Sequence, residues 1–202
     1  FGPGEVLLLL RQLLPVLAVV HGRGLVHGDV NPRNLLRRSA DGLPVLLDFG
    51  LVQAEGDDPL AGATPGYAPR AQGRGEACAA WMDLHGLGVS SLVLLTGRPP
   101  EQLLSPAGDS WCWPAQLVLA ADFQEVLQRL LSEDPQRRFS DAASAMAALK
   151  SVPMPEQSGP MARADRTVPL APQVMAVAEL ALPAFAPAAT PSRRLSRVEE
   201  RE

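Results

Sequence analysis
The sequence predicts a mainly helical domain that carries one short β-hairpin and is followed by a disordered tail. Leucine- and alanine-rich stretches with helical spacing recur at 5–21, 79–96, 117–131 and 141–149. Leu35-Leu36 and Pro44 to Leu47 are short apolar runs on either side of a Ser39-Ala40-Asp41-Gly42 turn, the pattern of a hairpin. Beyond Lys150 the composition shifts to proline and alanine, which cannot assemble a packed core.

Glu5 to His21 is rich in leucine, a strong helix former. Its apolar residues fill most of the circumference, as in a helix buried within a domain. Pro15 has no backbone N–H and is expected to kink or restart that helix, and Gly22 and Gly24 to end it. Leu51 to Arg74 has little periodicity and many Gly, Pro and Asp residues, which marks a loop of functional length. Ala79 to Thr96 returns to a helical pattern and Gly97-Arg98-Pro99-Pro100 stops it. Gly108 to Pro114 is a second loop, whose Trp111 and Trp113 read as packing residues and not as a ligand platform. Leu117 to Leu131 reads as an amphipathic helix, and Asp141 to Leu149 as a last, Ala-rich one with Ser140 as its N-cap. The boundary is set at 150. Residues 1–150 form the domain, and 151–202, a Pro/Ala-rich stretch ending in mixed charge, form the disordered tail.

The 202 residues are 47% hydrophobic and 20% charged, which suits one globular domain with something left over. A net charge of -4 gives no reason to expect nucleic acid or an acidic membrane as partner. Cys78 and Cys112 make neither a disulfide framework nor a metal spacing and read as free thiols in a reducing, cytoplasmic compartment. Val6 to Val20 is very apolar, but Arg11, Gln12 and Pro15 interrupt it and it is shorter than the roughly 20 residues a bilayer needs, so it is taken as a core helix and not a membrane segment. The first residue is Phe1, not Met, which leaves targeting unread.

The chemistry concentrates in Val26-His27-Gly28-Asp29-Val30-Asn31-Pro32-Arg33-Asn34 and in Val45-Leu46-Leu47-Asp48-Phe49-Gly50. Asp29 is a candidate general base. Asn34 and Asp48 are oxygen donors of the type Mg²⁺ prefers, an ion that commonly takes one or two side chains plus phosphate oxygens. Phosphoryl transfer needs a nucleophile held in line and metal to neutralise phosphate charge. The two segments resemble the catalytic loop and D-F-G of the protein kinases. Thr64-Pro65-Gly66-Tyr67 resembles the end of a kinase activation segment, and Asp83-Leu84-His85-Gly86-Leu87-Gly88 the D-x-x-x-x-G that opens the long central helix. Asp134-Pro135-Gln136-Arg137-Arg138-Phe139 resembles the D-P-x-x-R-F element near the domain's end.

The resemblance covers residues 1–150 and points to the bacterial serine/threonine kinases of the eukaryotic-like type. It implies the mainly α C-terminal lobe of a protein kinase, with the hairpin carrying the catalytic and metal loops. It also implies ATP and Mg²⁺ as cofactors, and transfer of the γ-phosphate to a Ser or Thr hydroxyl of a protein substrate. In that reading Asp29 matches the base, and Asn34 and Asp48 the residues that bind the nucleotide's metal. Thr64 matches a residue that hydrogen-bonds the catalytic Asp. Asp83 matches the one that holds the catalytic loop's backbone. His27 is expected to be structural, packing below the loop, and metal binding by His21 or His85 is not expected because no carboxylate or Cys cluster surrounds them in sequence.

The pattern is broken in several places. Gly28 stands where most protein kinases have an Arg that pairs with a phosphorylated activation-loop residue. Leu51 to Ala63 contains no Ser, Thr or Tyr, so the expectation is a loop not switched by phosphorylation there. Asn31 replaces the Lys that touches the transferred phosphate; its amide is expected to reach the phosphate without charge, with Arg33 as a partial substitute. The acidic position of the A-P-E motif falls on Ala71 or on Arg70, which leaves Arg138 to find another acid such as Glu76 or Glu133. No G-x-G-x-x-G precedes His27, and the single lysine is Lys150, so an N-terminal lobe is expected upstream and this chain by itself is read as an incomplete or inactive fragment. Two other readings stand beside it. One is a pseudokinase-like binding module. The other is a small-molecule phosphotransferase of the aminoglycoside or choline type, which shares H-G-D-x-x-x-x-N but lacks the Thr-Pro-Gly-Tyr and D-P-x-x-R-F elements.

Overall fold
The computed structural model describes residues 1–58, 62–108 and 110–154. The expected disordered tail lies, beyond Met154, outside the described residues. The elements in order are α1 (Pro3–His21), β1 (Leu25–Val26), β2 (Leu35–Arg37), β3 (Pro44–Leu46), β4 (Gln53–Ala54), α2 (Arg70–Gly73), α3 (Ala80–Thr96), α4 (Ala121–Leu131) and α5 (Ala142–Lys150). Antiparallel β2 and β3 form the expected hairpin, with Leu35 opposite Leu46 and Arg37 opposite Pro44.

α1 runs unbroken through Pro15. A proline inside a helix costs about 3 kcal/mol. Val6, Leu7, Leu9, Leu10, Leu13, Leu14 and Leu17 are all buried, and each such side chain contributes about 1.5–3 kcal/mol, so packing outweighs the proline. Pro15 itself lies on the exposed side, where solvent can serve the carbonyl it leaves without a donor. Apolar residues do surround the helix, but burial is one-sided: Leu8 is 40% and Val19 56% exposed. With 19 residues, α1 is long and apolar enough to cross a membrane, so the length argument against a span does not hold. In this fold its apolar face builds the core. Arg11, which interrupts the apolar run, caps the far end of α5 by donating to the carbonyls of Leu149 at 3.0 Å and Val152 at 2.5 Å.

The main core lies among α1, α3, α4 and α5, with Val30, Leu35 and Leu46 joining from the catalytic loop and hairpin. Val152 belongs to it, 2% exposed, although the sequence placed it in the tail. Glycine sets two close approaches of α3. A Cβ on Gly86 would stand 2.6 Å from the Val30 carbonyl, and one on Gly88 2.9 Å from Leu130 Cβ. The central helix can therefore press against both the loop and α4.

Local readings fail at three points. The amphipathic helix begins at Ala121, not Leu117: Ala120 is extended, Leu117 and Leu119 reach the core from non-helical backbone, and Val118 between them is 81% exposed. The cap of α5 is Asp141, whose carboxylate accepts from Ser144 N at 2.7 Å, while Ser140 donates its hydroxyl to Asp141. The long loop after Asp48 contains β4, paired with β1 through Leu25 opposite Ala54 and Val26 opposite Gln53, and the short helix α2.

Candidate active site
Asp83 sits in the first turn of α3, 1% exposed, where the helix dipole favours a negative charge. It accepts from the backbone N–H of His27 at 2.8 Å and of Gly28 at 2.8 Å. Its Oδ2 also lies 2.9 Å from His21 Nε2, in the last turn of α1. The expected grip on the loop's backbone is present. The His21 partnership adds one carboxylate that the sequence reading did not place there; the two residues are far apart in sequence, and only His21's position at a helix end hints at an acidic partner.

His27 is fully buried. Its Nε2 donates to the Leu47 carbonyl at 2.9 Å, and its Nδ1 accepts from Asp29 N at 3.3 Å. A neutral ring with its proton on Nε2 satisfies both bonds. Phe49 meets the ring edge-on, centroids 4.9 Å apart. His27 is thus a strut between the catalytic loop and the turn that bears Asp48.

Around Asp29 the loop closes on itself. Asn34 Nδ2 donates to the Asp29 carbonyl at 2.9 Å and to Asp29 Oδ2 at 3.0 Å. Asp29 Oδ1 accepts from Thr64 N at 2.9 Å. The Thr64–Asp29 link therefore runs through the backbone N–H. The Thr64 hydroxyl accepts from Asn31 Nδ2 at 3.1 Å. The same Asn31 amide donates to the Asp29 carbonyl at 3.1 Å, and Asn31 Oδ1 accepts from Arg33 N at 2.9 Å. Both polar ends of Asn31 are occupied and the residue is 1% exposed. The expectation that its amide reaches a phosphate is corrected: the side chain is short and turns inward, stitching the loop to Thr64. Arg33 does not stand in for the missing lysine in any bond to this cluster; its charge is felt by Tyr67, whose phenol burial pushes up and Arg33 pulls back.

The hairpin brings the two candidate metal ligands together. Leu47 N donates to the Asn34 carbonyl at 2.8 Å, extending the β2–β3 ladder by one step and setting Asp48 beside Asn34. Asp48 has φ 59° and ψ 75°, left-handed backbone that costs a non-glycine residue about 1–2 kcal/mol. Its Oδ1 accepts from Gly50 N at 3.2 Å. Asp48 is exposed. These are hard oxygen donors on neighbouring turns. Among the described residues no cluster of three or more His, Cys, Asp or Glu could cage a metal. The donor set fits Mg²⁺ held jointly with phosphate oxygens.

Gly28 has φ 81°, and a Cβ there would stand 3.0 Å from the Leu51 carbonyl. The carbonyl of Gly28 accepts from Gln72 Nε2 at 3.4 Å, which ties the loop to α2. Ala71 is buried against Trp81 and Met82. Among the described residues Arg138 has no acidic partner. Its guanidinium lies 3.8 Å over the Trp81 ring, and its Nη1 donates to the Glu133 carbonyl at 3.0 Å. The Glu133 carboxylate is taken instead by Arg70, through Arg70 N at 3.0 Å and Nε at 3.5 Å, and by Arg74 at 3.8 Å. Sequence reasoning missed both arrangements: an aromatic partner for Arg138 leaves no charge pattern to read, and Arg70 and Glu133 lie 63 residues apart.

The family model for the protein kinase domain matches residues 1–152. The chain belongs to the protein kinase domain family. This kinase domain is 33% identical over 154 residues to the serine/threonine-protein kinase PknA of a Nostoc species, covering 70% of this chain and 27% of that protein. It is 33% identical over 153 residues to serine/threonine-protein kinase F of a Synechocystis species, covering 72% of this chain and 31% of that protein. It therefore spans about a third or less of the length of these relatives. A solved structure, that of the Cydia pomonella granulovirus kinase PK-1, superposes with a TM-score of 0.60 at 21% identity, over 70% of this chain and 56% of that one. That likeness supports the fold. The relatives place this kinase domain with the bacterial serine/threonine kinases.

Proposed function
We propose that the chain supplies the catalytic and metal-binding half of a serine/threonine protein kinase, which transfers the γ-phosphate of ATP to a Ser or Thr hydroxyl of a protein. The observation that carries this is the closed set of bonds among Asp29, Asn34 and Thr64 beside Asp48. Asp29 would orient the acceptor hydroxyl and take its proton. Asn34 fixes the Asp29 carboxylate with Nδ2, and its Oδ1 and the Asp48 carboxylate would hold the metal. The bound Mg²⁺ supplies charge neutralisation for the phosphates. Thr64 and Asp83 keep the loop in register. Leu36 and Leu47, 39% and 38% exposed, fall on the hairpin face opposite buried Leu35 and Leu46, and Phe49 is 50% exposed beside them. This apolar surface supports an N-terminal lobe packed over the hairpin. Free thiols at Cys78 and Cys112 support a cytoplasmic location.

The test is transfer of labelled γ-phosphate to casein, with and without Mg²⁺, by the protein purified from its native host. Labelling on Ser or Thr that Asp29→Asn lowers by about 10²- to 10⁴-fold is expected. Labelling that is unchanged by Asp29→Asn would overturn the assignment. A binding-module reading is favoured by one observation, the inward commitment of Asn31, which leaves no charge at the transferred phosphate. It gains ground if Asp29→Asn preserves a cellular phenotype that deletion abolishes.

A further inference from the structure
Arg33 is held outward by the asparagines on either side of it. Asn31 and Asn34 are 1% and 8% exposed, and both donate inward to the Asp29 carbonyl, at 3.1 and 2.9 Å. The short turn Pro32–Asn34 is closed by Arg33 N on Asn31 Oδ1 at 2.9 Å and by Asn34 N on the Asn31 carbonyl at 3.0 Å. With the backbone pinned and the flanking amides facing in, Arg33 is left exposed. Its guanidinium has no hydrogen bond or ion pair among the described residues, whereas Arg70 and Arg74 are engaged by Glu133.

That charge stands beside Asp29. Thr64 N donates to Asp29 Oδ1 at 2.9 Å, and Tyr67 N to the Thr64 carbonyl at 3.2 Å, so Asp29, Thr64 and Tyr67 form one continuous edge. The charge of Arg33 reaches the half-buried Tyr67 phenol, pulling its pKa down against the effect of burial. Gly66, at φ 84°, lets this edge press on the turn Pro100–Gln102: a Cβ there would stand 2.8 Å from Pro100 Cβ. The turn carries exposed Glu101, whose opposite charge also reaches Tyr67. Among the described residues no ion pair joins Arg33 to Glu101. The whole chain carries a net charge of -4, and Asp29 and Asp48 add carboxylates at the site itself. That field does not attract acidic peptides, so an attraction for them has to come from a local cation.

We propose that Arg33 is a specificity-determining residue, which selects acceptor peptides that carry an Asp or Glu close to the acceptor Ser or Thr. An extended peptide advances about 3.3 Å per residue, so a carboxylate about two residues from the acceptor comes within reach of the guanidinium when the hydroxyl lies at Asp29. Arginine offers a planar fork that takes a carboxylate by two parallel charge-assisted bonds, which an uncharged amide at the same place in the peptide does not complete. The inference rests on the kinase reading above, because it needs an acceptor hydroxyl at Asp29.

The probes are three short Ala/Gly peptides around one Ser, with Asp, Asn or Lys two positions before and after it. Each is titrated into the full chain at low ionic strength and followed by NMR, through the Arg33 side-chain Nε–H signal and the amides of Thr64 and Tyr67. The Asp peptide is expected to bind about three- to fivefold more tightly than the Asn peptide, the worth of one exposed ion pair, and salt should erase the difference. Arg33→Gln is expected to abolish the preference, and Arg33→Glu to reverse it in favour of the Lys peptide. Both changes fall on an exposed side chain and keep the backbone N–H that Asn31 accepts. Equal binding of the Asp and Asn peptides by the unaltered protein, or no binding of either, overturns the proposal. So does a preference that survives Arg33→Gln, or a loss in that variant that falls equally on both peptides. Binding needs no phosphate transfer, so the two readings fail separately. Labelling that depends on Asp29 together with equal peptide binding sinks this proposal alone. A preference lost with Arg33 but without such labelling supports acid recognition at Arg33 and sinks the kinase reading.

Discussion
Removing the carboxylate of Asp83 should loosen the catalytic loop and the whole domain together. The group accepts three bonds, from His27 N and Gly28 N at 2.8 Å each and from His21 Nε2 at 2.9 Å, in a position 1% exposed. Asp83→Ala leaves two buried backbone donors and an imidazole without an acceptor. A buried donor left unsatisfied costs about 1–3 kcal/mol, so three such losses, partly relieved by relaxation, come to about 4 kcal/mol. For a domain of this size each kcal/mol moves Tm by about 2–4 °C, which gives a fall of about 8–16 °C. Asp83→Asn keeps the shape and one acceptor but turns an amide N–H toward a donor, and should cost about half as much. Calorimetry measures the first effect. Hydrogen exchange of the His27 and Gly28 amides measures the second, and should show both losing protection well before α1 does. A Tm within about 2 °C of the unaltered protein would refute the reasoning, because the three donors would then have found other acceptors.

Gly28→Arg should lower stability by about 1–2 kcal/mol, since φ is 81° and the new Cβ would meet the Leu51 carbonyl at 3.0 Å; urea unfolding checks it. Stability should fall as pH drops from 6.5 toward 4. His85, facing Glu133 and Arg70, resists protonation in the folded state down to about 4, whereas the unfolded chain takes the proton near 6.5. The shift corresponds to about 3 kcal/mol over that window, and His85→Phe should flatten the slope. Cys78, 4% exposed and with its thiol pushed up to about 11 chiefly by burial, should resist iodoacetamide at pH 8 in the folded protein while exposed Cys112 reacts. Peptide mapping distinguishes the two, and labelling of both without denaturant would contradict the buried placement.

The helices and hairpin were legible because their signals are local. Leucines at helical spacing announce α1, and a polar turn between two apolar runs announces β2 and β3. β1 and β4 left no trace, since each is two residues long and their pairing joins Leu25 to Ala54 across the loop. The start of α4 was misread because Leu117, Val118 and Leu119 imitate an apolar face that the chain leaves in solvent at Val118. In the site, the spacing of Asp29, Asn34 and Asp48 gave the candidate residues directly. What Asn31 and Arg138 do was not readable. Asn31 is occupied by Thr64, and Arg138 by the Trp81 ring, partners that only the tertiary fold brings near.

The Arg70–Glu133 pair has an evolutionary corollary. It joins two stretches 63 residues apart, the start of α2 and the turn after α4. A carboxylate introduced at position 70 would face Glu133, and an arginine introduced at position 133 would face Arg70 and Arg74. Either change alone sets like charges together, whereas the two made together restore an opposed pair. Positions 70 and 133 are therefore expected to vary as a linked couple.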